Sequence, residues 1–382
     1  MQVAIKQSDD SSIHGPLGKR RALPMARNAL GSLLPALQHT ANPVLHSPAW
    51  LPCRLDRELN AFDADLLHLH WVQGEMLSIE AIGRLHKPLV WTLHDGWAFC
   101  GSEHYPDGAE DRRYQQGYHR GNRPPNHHGL DLDRWCWQRK RRHWKRPMQL
   151  VCPSRWLASC VERSALLRDW PVRVIPHPLP TDLYRPWPQA LARQLFALPA
   201  EAPLLLFGAI GGSRDPRKGW DLLAPALQQL AHTQPSLQVV VFGQSEPADP
   251  PRLGLPIHYV GALHDNQALA LLYSSADVMV VPSRMEALGQ TASEAQACGV
   301  PVVAFNATGL PDVVEHLRTG YLAAPFDPTD LAAGIRWVLE DDERRSKLGA
   351  MARSRAAQLW QPAGIARQYL EVYEQARDAW NG

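Results

Sequence analysis

The sequence predicts an α/β protein made of two consecutive parallel-sheet units, and three observations carry that expectation. Short apolar, β-branched runs alternate with helical patterns along most of the chain, as βαβ units do and antiparallel meanders do not. The alternations fall into two sets separated by a proline-rich stretch. A chain of 382 residues with 45% hydrophobic composition can also give each of two domains its own core.

Residues 7–50 mix basic, glycine and proline content, with one helical pattern near Ala22 to Leu37. The first set of strands then reads as Asp65–His70, Pro88–Leu93, Gln149–Cys152 and Val172–Ile175. Pro176 to Pro186 carries four prolines in eleven residues and reads as a linker. The second set comprises Leu204–Ala209, Val239–Gly243, Tyr259–Gly261, Asp277–Val281, Val302–Ala304 and Gly320–Leu322. Ile365, Tyr369, Val372, Tyr373 and Ala376 recur at helical spacing, so Pro362 to Trp380 reads as a terminal helix. The expected organisation is a first domain over 1–178, a second over 186–361 and the helix over 362–382. Strand carboxyl ends of both domains would open on a cleft between them, the expected ligand site.

Composition excludes several classes. The six cysteines form no Cys-x-x-Cys pair, which points to reduced thiols rather than a disulfide framework or a zinc site. No apolar run approaches the roughly 18 to 20 residues that span a bilayer, and the first ten residues lack a signal-peptide core. An intracellular, cytoplasmic protein is expected. No Gly-x-Gly-x-x-Gly follows any strand, which argues against a dinucleotide oxidoreductase. Net charge is only +2, yet eleven Lys or Arg residues lie between Arg112 and Arg146 against Asp131 and Asp133. In that stretch, Arg134 to Arg146 interleaves cations with Trp135, Trp137 and Trp144. Three readings stay open: a helix with a basic outer face, a surface for an anionic membrane or lipid-linked acceptor, and, least favoured, nucleic-acid binding.

The segment Pro282 to Ala295 carries the most chemistry. Val278 to Val281 is stopped by Pro282, and a helix begins near Gln290-Thr291, capped by glycine or threonine, and ends at Cys298-Gly299. Backbone N–H groups at that start favour an anion, and Gly289 lets the backbone approach a ligand. Glu286 precedes the turn and Glu294 follows it by about one helical turn, so both can accept hydrogen bonds from the hydroxyls of one molecule. A nucleotide sugar, with a diphosphate between two sets of hydroxyls, fits. Two solvated glutamates on an ordinary strand-to-helix turn are the bland alternative. His68 and His70 share one strand face, but no third ligand is evident, so packing or cleft lining is preferred to a metal.

These segments, in order, resemble the nucleotide-binding half of family 4 glycosyltransferases of the exopolysaccharide-cluster, colanic-acid-type kind. Leu204–Ala209, Asp215–Trp220, Val239–Gly243, Tyr259–Gly261, Leu272–Val278, the glutamate motif, Gly299–Ala304, Gly309–Val314 and Gly320–Leu322 carry the resemblance. It implies the GT-B fold, two Rossmann-like domains facing a cleft, with the terminal helix packing back toward the first. It implies a retaining, metal-independent sugar transfer from a nucleotide sugar, without a cofactor, to a glycan or lipid-linked acceptor in surface or extracellular polysaccharide synthesis. By the same resemblance Glu286 holds donor-sugar hydroxyls, Glu294 the ribose, and Lys218 the leaving diphosphate. Gly289, Gln290 and Thr291 line the phosphate turn, His94 faces the sugar, and Asp95 lies on the acceptor side. Family members commonly carry an arginine where this chain has Ala209, so Arg214 or Arg217 is expected as the second cation. Gly101-Ser102-Glu103-His104-Tyr105 stands where related transferases have Gly-Cys-His-Tyr followed by further cysteines. The chain also opens at the family's second strand, Gln2 to Lys6, with no Gly-Gly loop before residue 60. A nucleotide-sugar binder without catalysis and a sugar-nucleotide 2-epimerase of the same fold remain as alternatives.

Overall fold

The computed structural model describes residues 22–108, 111–208 and 215–381. The expected strand Gln2 to Lys6, Ala209 and Arg214 therefore lie outside the described residues. The chain divides into two units: residues 1–152, 157–174 and 370–382 form the first, and residues 153–156 and 175–369 the second.

The first unit begins with helix α1 (Ala22–Gly31), shorter than the expected pattern; a 3-10 turn at Pro35–Leu37 completes it. Strand β1 (Gln38–His39) pairs antiparallel with β4 (His128–Gly129), an addition that two-residue strands do not announce in sequence. Helix α2 (Leu55–Ala61) leads into β2 (Leu67–Leu69), α3 (Ile79–Gly83) and β3 (Leu89–Thr92). Next come α4 (Arg113–Gln116), α5 (Leu132–His143), β5 (Gln149–Cys152), α6 (Arg155–Arg163) and β6 (Val172–Val174). The strands form a parallel sheet in the order β2-β3-β5-β6. All four residues of β3 and of β5 are buried, as expected of central strands covered on both faces. Trp91 on β3, Trp97 beyond it and Trp144 after α5 pack edge to face with centroids 5.4 to 6.2 Å apart.

The second unit holds α7 (Gln189–Leu195), β7 (Leu204–Gly208), α8 (Trp220–Thr233), β8 (Gln238–Phe242), β9 (Ile257–Gly261) and α9 (Asn266–Ser275). These are followed by β10 (Val278–Val281), α10 (Gln290–Ala297), β11 (Val302–Phe305), α11 (Leu310–Val313) and β12 (Gly320–Ala323). The chain ends with α12 (Pro328–Leu339), α13 (Asp342–Leu359) and α14 (Pro362–Asn381). Its parallel sheet runs β12-β11-β10-β7-β8-β9. Strand order reverses between β7 and β10, so the loops leaving their carboxyl ends flank the crevice where such sheets bind ligands.

One expectation changes and another is narrowed. Pro176 to Pro186 is no free linker: Leu179 and Tyr184 are buried in the second unit's core, and Arg353 donates to the carbonyls of Thr181 and Tyr184. The prolines restrict the backbone while the apolar residues between them dock. The basic tryptophan-rich stretch does form a helix with a basic outer face, but some of its cations turn inward. Lys140 is fully buried, Trp137 and Trp144 nearly so, and Arg139 pairs with Glu80 at 2.7 Å, leaving Trp135, Arg141, Arg142 and Lys145 outside.

Candidate active site

In the second unit, three loops leave the same end of the sheet. After β7 comes Asp215–Gly219, after β10 Pro282–Gly289, and after β11 Asn306–Gly309. Gly219 has φ +70°, and a Cβ there would lie 1.9 Å from the Pro282 carbonyl oxygen, so only glycine lets the first two loops meet backbone to backbone. Arg284 ties them further. Its backbone N–H donates to the Arg217 carbonyl at 2.7 Å, and its guanidinium grips both carboxylate oxygens of Asp221 at 2.7 and 2.6 Å. The third loop holds the backbone of Glu286: its N–H donates to Thr308 Oγ1 at 3.1 Å, and Gly309 N–H donates to its carbonyl at 3.0 Å. Thr308 occupies the left-handed region at φ +52°, uncommon for a β-branched residue.

That scaffold brings together Lys218 and Glu286, 68 residues apart. Lys218 Nζ donates to Glu286 Oε1 at 2.7 Å, and Ser283 Oγ donates to the same oxygen at 2.8 Å. The pair is partly exposed, with side-chain exposures of 25% and 14%, so it remains accessible to a ligand. Beside it α10 starts at Gly289, whose φ is +100° and which makes no side-chain cap bond; of the two expected caps, glycine is the one used. Thr291 is a half-buried residue of the first turn. The first-turn N–H groups have no i−4 acceptor, as at any helix start, and suit an anion.

Glu294 lies deeper than a solvated glutamate, 5% exposed. Tyr273 OH donates to its Oε2 at 2.7 Å and Gln290 Nε2 to its Oε1 at 3.1 Å. Burial raises its carboxyl pKa, and the two hydrogen bonds oppose that rise. Arg217, an expected phosphate cation, bonds Asp215 on its own turn at 2.6 and 3.1 Å, so part of its charge is already offset.

In the first unit, His94 and Asp95 follow β3. His94 Nε2 lies 3.0 Å from His70 Nδ1, and burial lowers the pKa of both, His70 to about 4. His68 is bonded to Tyr373 OH and Thr92 Oγ1, each at 2.8 Å; burial, then repulsion from His70 and His94, push it down to about 3. His68 is thus held by packing, whereas His70 is exposed and touches the rings of His68 and His94. Asp95 is buried, bonds His104 at 2.6 Å, and accepts from Trp97 N–H at 2.9 Å and Trp71 Nε1 at 3.2 Å. Trp71 itself keeps 47% of its surface exposed. Lys140 braces this segment from α5 by donating to the carbonyls of Trp97, Cys100 and Gly101.

Sequence reasoning missed Tyr273, Ser283, Arg284, Asp221 and Thr308, because a hydroxyl or cation far away in sequence carries no periodic signal. It also missed a buried cluster in which His46, Glu103 and Asp133 offer ligand-type atoms within 4.8 Å of one another. There Asp133 accepts from Ser102 and from Gln38 at 2.9 Å and lies 3.3 Å from His46, and Glu103 accepts from Tyr118. Burial drives the Glu103 pKa well up, with Asp133 adding to the rise.

Comparisons with known proteins bear on the fold. Residues 17–183 match Glycosyltransferase Family 4, and residues 206–355 match Glycosyl transferases group 1. The D-inositol 3-phosphate glycosyltransferase of Xylanimonas cellulosilytica is 35% identical over 210 residues, 52% of this chain and 48% of that protein. D-inositol 3-phosphate glycosyltransferase 2 of Catenulispora acidiphila is 36% identical over 212 residues, covering 51% and 48%. The chain thus spans about half the length of the curated relatives it matches. Among solved structures, sucrose-phosphate synthase from Thermosynechococcus elongatus aligns with a TM-score of 0.65 at 26% identity, over 85% of this chain and 77% of that one. HepE from Anabaena, in complex with UDP and glucose, aligns with a TM-score of 0.61 at 19% identity, over 95% and 86%.

Proposed function

We propose that this chain, which has the GT-B fold and whose two halves match glycosyltransferase families, is a retaining, metal-independent glycosyltransferase that uses a nucleotide sugar. The observation that carries this reading is the Lys218–Glu286 pair beside the Gly289 helix start, at the point where strand order reverses. A diphosphate seated there meets a cation and the N–H groups of Gln290 and Thr291. The sugar hydroxyls meet Glu286, and the ribose hydroxyls meet Glu294. Arg217 adds charge, and Arg214 is assigned by sequence position alone. His94 and Asp95 keep the sugar-facing and acceptor-side roles that the resemblance gives them, and Asp95 holds Trp71, an exposed ring on which a sugar face can stack.

In the reaction the bond from the anomeric carbon to the phosphate oxygen breaks and a bond to the acceptor hydroxyl forms on the same face. The acceptor proton passes to the departing phosphate oxygen. Lys218 and the helix start stabilise the negative charge that grows on that oxygen, which lowers the barrier because both are in place beforehand.

The acceptor we infer is a glycan or lipid-linked glycan in surface or extracellular polysaccharide assembly of the colanic-acid-type kind. The working location is the cytoplasmic side of a membrane, touched peripherally through the outer residues of α5 and the turn beyond it. Exposed Trp135 beside Arg141, Arg142 and Lys145 supports that contact. No helix among the described residues is long and apolar enough to cross a membrane.

The test is thermal shift with UDP, GDP, ADP and their sugar conjugates, followed by product analysis with and without acceptors, D-inositol 3-phosphate among them. A ligand at 100 times its dissociation constant adds about 2.7 kcal/mol, which moves the melting point visibly. Turnover of the donor alone to an isomer would establish the epimerase, and binding without any turnover the inactive binder.

A further inference from the structure

Among the described residues, Glu294 is the least exposed of the charged groups assigned to the donor, and its two oxygens sit in different surroundings. Oε2 is held by Tyr273, a fully buried residue of α9 packed edge-on against Phe242 with centroids 5.6 Å apart. Among the described residues, Oε1 accepts from Gln290 alone, an exposed amide on its own helix. No ion pair to Glu294 is formed among the described residues, so its charge is held by these two bonds. Among the described residues, the titratable groups that face it are Tyr273 from α9, Tyr184 from the segment before α7 and Cys298 at the end of α10, none of them a cation.

We propose that Tyr273 is a positioning residue for nucleotide recognition: its hydroxyl ties the inward oxygen of Glu294, so that the outward oxygen is the one presented to the ribose hydroxyls. A buried carboxylate with one donor removed rotates freely about its last bond and takes up a proton more readily, and a protonated acid accepts poorly from a hydroxyl. The phenol acts in both respects. It sets the direction of Oε1, and it keeps Glu294 ionised without a cation that would compete with the ribose. The inference rests on the assignment of Glu294 to the ribose.

The experiment compares UDP, GDP and ADP with their 2′,3′-dideoxy counterparts by calorimetry from pH 5.5 to 8.5. The proteins are the unsubstituted chain, Tyr273→Phe, Glu294→Gln and Glu294→Ala. The readout is the preference for the ribose form, which a merely structural tyrosine would not move. Tyr273→Phe should lose about tenfold of that preference near pH 6, the equivalent of one hydrogen bond to a charged group, and recover part of it at pH 8.5. Glu294→Gln should show no pH dependence, and Glu294→Ala no preference at any pH. Should Tyr273→Phe melt early, 3-fluorotyrosine incorporated at position 273 keeps the shape and strengthens the donor, and must move the pH midpoint the opposite way. Unchanged preference and midpoint in Tyr273→Phe, with Glu294→Ala defective, would overturn the role of Tyr273 alone. No binding of any of the three nucleotides, or full ribose preference in Glu294→Ala, would overturn the ribose assignment and this inference with it.

Discussion

Gly219→Ala is the sharpest test of how the second unit builds its site. The residue sits at φ +70°, where alanine costs about 1–2 kcal/mol. Its Cβ would also stand 1.9 Å from the Pro282 carbonyl oxygen. Non-bonded carbon and oxygen need at least about 3 Å, so the Asp215–Gly219 loop must withdraw by roughly 1 Å or more. The neighbour of Gly219 is Lys218, whose 2.7 Å bond to Glu286 does not survive such a shift. A misplacement of that size costs on the order of a hundredfold in rate. Gly261→Ala separates strain from displacement: Gly261 has φ +80°, but nothing lies within 4 Å of an added Cβ. Both variants should lose about 1–2 kcal/mol in urea unfolding. Only Gly219→Ala should also lose UDP binding by calorimetry and turnover. Wild-type diphosphate affinity in Gly219→Ala would refute the claim that this contact sets the position of Lys218.

Lys218→Ala should weaken UDP far more than uridine, with the unfolding free energy lowered by less than about 1 kcal/mol because the pair it breaks is partly exposed; equal loss of both ligands contradicts a phosphate role. Glu286→Ala should abolish turnover while the fold survives, checked by circular dichroism and a donor assay. Acid should destabilise the first unit. His68 has a folded pKa of about 3 against 6.5 unfolded, so the unfolded chain binds the extra proton, and stability is complete above pH 6.5 and falls as pH drops toward 3. The loss is about 1 kcal/mol per pH unit, solvent screening included, and tryptophan fluorescence of His68→Gln should show a slope smaller by that amount. Lys140→Met leaves three buried carbonyls without their donor and should cost about 3 kcal/mol or more in the same assay, whereas an effect under about 1 kcal/mol would mean that water replaces the ammonium.

The parallel sheets were legible because their strands are the strongest local signal in the chain. The runs at Val239–Phe242 and Val278–Val281 are β-branched or apolar and bounded by glycine or proline, and each occupies a central, fully buried position. The two-residue β1 and β4 gave no such signal. The inward cations of the basic stretch went unread for a related reason: charge in sequence says nothing about which side of a helix a cation faces, and Lys140 and Arg139 turn inward to meet carbonyls and Glu80. The proline-rich segment was misread because Leu179 and Tyr184 are too few to form a pattern, though they suffice to dock it.

At the candidate site the division between the legible and the hidden follows from how the loops meet. Gly289 stands out in sequence because a glycine in the turn lets the backbone approach a ligand, and Glu286 and Glu294 because they bracket that turn. What locks these residues in place is contributed from elsewhere in the chain. Arg284 reaches Asp221, Thr308 holds the peptide of Glu286, and Tyr273 holds the carboxylate of Glu294. Each of these partners is an ordinary residue until the sheet folds, and each acts through one or a few bonds whose geometry depends on strand order. The reversal between β7 and β10 is the feature that makes them neighbours, since it sends the chain outward in both directions and leaves the loops of β7, β10 and β11 at one end. A substitution that spares the glutamates and lysine but cuts one of these ties should therefore leave the sequence motif intact while the site loses its geometry.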